Sequence, residues 1–175
     1  MGNKKLISPE FRVTVGDYEI SEGIEVECFS SKESHMDWCR VELSPQLQGL
    51  IQFKDMDEAT VELGYEDDFD SLIDGYVRCG DGDYWKEIMI KDDMMKLDRV
   101  TIKASFVDCE PQDVIRYVLA CAGIEDYILS DENYGKKDLF VIDKRSGIKT
   151  IAEVNSSWGI SNPFFFQKKV FYWGT

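Results

Sequence analysis

Ile24-Glu25-Val26-Glu27-Cys28-Phe29 alternates apolar with mainly acidic side chains, and Trp38-Cys39-Arg40-Val41-Glu42-Leu43 repeats the pattern a short distance on. Successive side chains of an extended chain point to opposite faces, so Ile24, Val26 and Cys28 share one face, as do Cys39, Val41 and Leu43. Ser44-Pro45 ends the second run. Before this pair, Phe11-Arg12-Val13-Thr14-Val15 alternates, Gly16-Asp17 makes a tight turn, and Tyr18-Glu19-Ile20 resumes extended structure, a hairpin signal. After it, Thr60-Val61-Glu62-Leu63-Gly64-Tyr65 precedes the acidic loop Glu66-Asp67-Asp68-Phe69-Asp70. Leu72-Ile73-Asp74-Gly75-Tyr76-Val77 follows, with Gly75 marking a bulge or a close backbone approach. The turn Gly80-Asp81-Gly82-Asp83 leads into Trp85 to Ile90, and Val100-Thr101-Ile102-Lys103-Ala104-Ser105-Phe106 alternates again. Short strands at this spacing, separated by Gly and Asp turns, predict a closed or nearly closed antiparallel barrel, or a sandwich.

The character changes after Asp108. Pro111 suits the first turn of a helix, where its missing N–H has no intrahelical partner to lose. Val114, Ile115, Val118, Leu119 and Ala122 then recur at helical spacing, and Gly123 stands where a left-handed cap belongs. A second helix is predicted from about Ile148 to Trp158, with Ile148, Ile151, Val154 and Trp158 on one stripe, Ser146 as N-cap and Gly159 as terminator. Asp138-Leu139-Phe140-Val141-Ile142 reads as a strand between the helices. Phe164-Phe165-Phe166 and Val170-Phe171-Tyr172-Trp173 flank Gln167-Lys168-Lys169 as a hairpin. The expected fold class is therefore α+β, mostly β. A β-barrel-like domain over residues 1–107 is followed by a small α/β domain over 108–175, with two helices, a strand and an aromatic hairpin. No internal repeat or low-complexity segment stands out.

The 175 residues are 43% apolar and 31% charged, an ordinary globular proportion. Twenty Lys and Arg face 34 Asp and Glu, a net charge of −14. Phosphate binding draws its affinity from clustered cations, so nucleic acid is not expected as a partner. No apolar run approaches the roughly 20 residues that span a bilayer, so no membrane partner is expected. The first residues carry Lys4 and Lys5 without an apolar stretch of signal-peptide length behind them, which predicts a soluble protein made without Sec-type export.

Cys28, Cys39, Cys79, Cys109 and Cys121 are odd in number, widely spaced and never form a CxxC pair, which reads as buried free thiols in a reducing compartment. One histidine, His35, cannot supply a zinc site with them. It lies in a polar stretch without a nucleophile-elbow pattern, and reads as a solvated loop residue. An EF-hand alignment from Asp70 puts Leu72 where an oxygen ligand is required and fails. Asp81-Gly82-Asp83 and Asp92-Asp93 could each grip a hard cation, and read more simply as solvated acidic turns. No P-loop or GxGxxG fingerprint occurs, and 34 acidic residues nominate no glycosidase pair. No catalytic residue, cofactor site or metal site is expected, and the chain does not read as an enzyme.

The serial order of these pieces resembles the phage late control gene D family, the baseplate hub proteins of contractile tails. More distantly, it is similar to the N-terminal region of type VI secretion spike proteins. The resemblance is carried by Phe11 to Ile20, Val61-Glu62-Leu63-Gly64, Leu72-Ile73-Asp74-Gly75-Tyr76-Val77 and Ile88-Met89-Ile90-Lys91-Asp92. It continues through the helix from Pro111 to Ile124, then Thr150-Ile151-Ala152-Glu153-Val154-Asn155 with Trp158-Gly159-Ile160. Family members usually continue with further β domains, whereas this sequence stops at Trp173-Gly174-Thr175, which makes 108–175 a candidate truncated domain. The resemblance implies a non-enzymatic homotrimer that joins the tail tube to the central spike. It would assemble in the host cytoplasm and reside in the baseplate of the virion tail.

One physical feature is consistent with assembly. Phe164, Phe165, Phe166, Phe171, Tyr172 and Trp173 fall within ten residues, so consecutive aromatics must point to both faces of the hairpin. They are the candidate interface: one face meets another chain or a missing domain, unless the chain's own helices cover both. Two other functions compete. Trp38, Trp85, Trp158 and Trp173 suggest a barrel module binding carbohydrate or cell wall, and His35 with a neighbouring Ser or Cys suggests a tail-associated hydrolase.

Overall fold

The computed structural model describes residues 9–31, 35–65, 68–79, 86–167 and 169–174. The chain divides into two compact units, the first ending at Asp92 and the second starting at Asp93. Sequence character suggested a change at 107/108, because the strand beginning near Val100 alternates like those before it.

The first unit is built on strands β1 (Glu10–Val15), β2 (Tyr18–Ile20), β3 (Ile24–Phe29), β4 (Trp38–Leu43), β5 (Glu58–Tyr65), β6 (Asp68–Arg78) and β7 (Glu87–Lys91). They form one antiparallel sheet in the order β2-β1-β5-β6-β7-β4-β3. Alternation decides which side is buried. Val13, Val41, Val61, Val77, Ile88 and Ile90 all point to one face and are fully buried. Burying each such side chain contributes about 1.5–3 kcal/mol, the main favourable term in the unit.

The expected barrel is not formed. The sheet is open, with β2 and β3 at its two ends and no pairing between them. An alternating strand needs only one covered face, and that requirement is met here without closure. Gly75 is a close approach: a Cβ there would run into the Lys91 carbonyl of the neighbouring strand. The register irregularity lies nearby, where Val61 pairs Ile73 and Glu62 pairs Ser71.

The cysteine reading also needs correction. Cys28 and Cys39 are joined by a disulfide, while Cys79, Cys109 and Cys121 are not disulfide-bonded, and Cys121 is exposed. The two bonded cysteines are direct partners in the β3–β4 register, a proximity that sequence spacing does not reveal.

The second unit contains α1 (Met94–Arg99), β8 (Thr101–Cys109), α2 (Pro111–Cys121), β9 (Tyr127–Leu129), β10 (Lys137–Ser146), α3 (Gly147–Trp158), β11 (Phe164–Gln167) and β12 (Val170–Trp173). Strand β8 pairs with β10, not with the preceding strands. Pro111 opens α2, and Glu110 and Asp113 form a reciprocal capping box. The Ser146 hydroxyl accepts from the Lys149 amide at 3.4 Å, and Gly159 ends α3 in the left-handed region at φ 68°. Helix α1 escaped the sequence reading because six residues are too few for periodicity to show. Its Asp93 is not a solvated turn residue, being buried with Lys96 at 3.0 Å, and Asp92 accepts from the Asp37 amide at 3.1 Å.

Candidate assembly interface

The aromatic hairpin is a hairpin in fact. Phe164, Phe165 and Phe166 of β11 face Trp173, Tyr172 and Phe171 of β12. The third strand, β9, lies parallel to β12, with Tyr127, Ile128 and Leu129 beside Phe171, Tyr172 and Trp173. A sheet this small must bury one face, and alternation selects which side chains go inside.

The inner face takes Phe164, Phe171 and Trp173, the last two fully buried. Phe171 packs against Phe164 and Phe166 at 6.2 and 5.3 Å between ring centroids, and Tyr134 meets the Trp173 ring edge-on at 5.7 Å. A buried indole must place its N–H, and Trp173 Nε1 donates to Asn155 Oδ1 at 2.6 Å. Asn155 Nδ2 in turn donates to the Asn162 carbonyl at 3.1 Å, and Asn162 Nδ2 donates to the Gly174 carbonyl at 3.2 Å. One polar residue on α3 thus anchors the start and end of the hairpin. Main-chain bonds from Ser130 N to the Trp173 carbonyl and from Phe171 N to the Asp126 carbonyl tie it to the β9 region.

The outer face carries one row across all three strands: Phe165, Tyr172 and Ile128. Phe165 is 39% exposed and Ile128 48%. The Phe165 and Tyr172 rings stack with centroids 5.2 Å apart and planes 9° from parallel. Of the six candidate residues, then, Phe165 is exposed on the outer face, Tyr172 beside it and Phe166 are half-buried, and three are core. Ile128 was missed because a three-residue parallel strand leaves no pattern in sequence.

The other candidates are dispersed. His35 is exposed, and Asp70, Leu72 and Asp74 lie along the single strand β6. Asp81-Gly82-Asp83 and Trp85 lie outside the described residues. Among the described residues no group of three or more His, Cys, Asp or Glu is placed to hold a metal ion. No described helix is long and apolar enough to cross a membrane. Each of the three described tryptophans packs within its own unit. Trp173 is core, and Trp158 packs on Phe140, donates to the Gly135 carbonyl and lies under Lys137. Trp38 turns its face to Phe29, with centroids 5.7 Å apart and planes 18° from parallel.

In fold, the chain is similar to solved tail proteins. The 43 kDa tail protein of prophage MuSo2 from Shewanella oneidensis superposes with a TM-score of 0.65 at 17% identity, covering 94% of this chain and 53% of that one. A tail protein from Neisseria meningitidis MC58 superposes at 0.58 with 15% identity, covering 93% of this chain and 50% of that one. This chain therefore spans about half the length of these two solved relatives. No family model matches the chain, and no curated protein does. The tail-protein part of the family resemblance is thus matched by fold.

Proposed function

We propose that this chain is a structural component of a contractile phage or prophage tail, a baseplate hub that links tail tube and central spike by oligomerising as a homotrimer. It acts through docking and not through chemistry. Assembly takes place in the host cytoplasm, and the finished product resides in the virion tail. The observation that carries the reading is the outward row Phe165–Tyr172–Ile128, an apolar strip with its two ends exposed and Tyr172 half-buried, on a sheet whose other face is already filled by its own unit. Aromatic side chains exposed in a contiguous row mark protein contacts, because they bring large apolar area at small entropic cost. The likeness of fold to tail proteins supports the same reading.

The double variant Phe165→Ser/Tyr172→Ser tests it. Both side chains lie outside the core, so far-UV circular dichroism should be unchanged. Light scattering over a concentration series should show a trimer for the native protein and a monomer for the variant. A native protein that stays monomeric at every concentration overturns the oligomeric hub.

A further inference from the structure

Among the described residues, strand β3 is the end strand of the seven-stranded sheet and is paired on one side only, with β4. Four of its six residues are exposed. A strand held by a single ladder is the part of a sheet that opens most readily. Its one covalent tie is the bond between Cys28 and Cys39. The register makes these two residues direct partners, flanked by the pairs Glu27–Arg40 and Phe29–Trp38, so strand pairing alone brings the sulfurs together. Their surroundings differ: Cys28 is exposed, while Cys39 is buried in the apolar core.

We propose that Cys28 and Cys39 are a redox-operated staple on this edge strand. The pair is open as two thiols in thiol-reducing surroundings, and is closed by exchange with a small disulfide such as oxidised glutathione. The exposed Cys28 thiolate attacks one sulfur of oxidised glutathione, breaking its S–S bond, forming a mixed disulfide and releasing one glutathione thiolate. Cys39, losing its proton, then attacks Cys28 Sγ. The bond from Cys28 to glutathione breaks, and the second glutathione leaves. Two protein thiols are oxidised, one glutathione disulfide is reduced, and the two protons lost by the cysteines end on the two glutathione thiols. Opening runs the same path in reverse, starting at the accessible Cys28 sulfur. Closing the loop between residues 28 and 39 restricts the unfolded chain and holds β3 on β4. On the opposite sheet face it also fixes the stacked Phe29–Trp38 pair on the next rung. The staple does not depend on the tail reading.

The whole protein is reduced, exposed to oxidised glutathione under native conditions, quenched by alkylation and mapped by peptide mass spectrometry. The Cys28–Cys39 link should become the majority species. Its thermal midpoint should rise by about 5–10 °C. Amide exchange across Ile24–Phe29 should slow by about tenfold or more, with β1 unchanged. Cys39→Ser should collect glutathione on Cys28, and Cys28→Ser should collect about tenfold less on Cys39. The double variant Cys28→Ser/Cys39→Ser should match the reduced protein and not respond to oxidised glutathione. The proposal fails if the native protein keeps both thiols or closes only after unfolding. It fails equally if closure leaves β3 exchange unchanged, if Cys39 is the preferred glutathione acceptor, or if the double variant responds like the native protein.

Discussion

Asn155 carries more of the second unit than its chemistry suggests in sequence. Its side chain accepts from the buried indole of Trp173 and donates to the Asn162 carbonyl, so its loss leaves a core N–H without an acceptor. Asn155→Ala should cost about 1–3 kcal/mol in a urea unfolding experiment, and Asn155→Asp, which keeps the acceptor, should cost less. The cysteines outside the disulfide differ in the same local way. Burial pushes the Cys109 thiol above its usual value, and the neighbouring carboxylates of Asp113 and Asp108 add to this against an opposing main-chain hydrogen bond. A raised pKa means less thiolate at pH 8, and the buried thiol is also shielded. Iodoacetamide at pH 8 should therefore label the exposed Cys121 well before Cys109. Equal labelling rates, read by peptide mass spectrometry, contradict this.

Helices α2 and α3 begin and end where their capping residues stand, since a cap satisfies backbone groups that the helix itself cannot. Ser146→Ala removes the acceptor for the Lys149 amide and should cost about 1 kcal/mol, measured as a drop in the urea midpoint with unchanged slope. Both helices were legible because apolar residues recur over three turns. Helix α1 and strand β9 were not, being shorter than the period or ladder needed to show a pattern. The hairpin was legible in a different respect. Its alternation foretold that the aromatics divide between two faces, and the structure adds which face is core: Phe164, Phe171 and Trp173 pack inward, leaving Phe165 and Tyr172 beside Ile128.

Charge is distributed unevenly over the molecule. Up to Asp92 the chain has nine Lys and Arg against twenty-two Asp and Glu, a net −13, whereas from Asp93 it has eleven against twelve. Self-repulsion should weaken the first unit selectively at low ionic strength, where the Debye length is about 30 Å. Raising salt from about 10 mM to about 150 mM should increase amide-exchange protection in the first unit's strands more than in β8, β10 or α2. An equal gain in both units contradicts the argument. Residue order was enough to establish most of the strands of the first unit, the two longer helices and the aromatic hairpin, because alternation, helical period and capping are properties of neighbouring residues; Asp68-Phe69-Asp70, expected in an acidic loop, instead begins β6 by pairing with β5. Folding in three dimensions settled the rest: the open sheet in place of a barrel, β8 beside β10, Cys28 against Cys39, and the outward row Phe165–Tyr172–Ile128. Each of these joins residues from separate strands, and which strands lie side by side follows from the packing of whole faces, a quantity that no local stretch of chain contains.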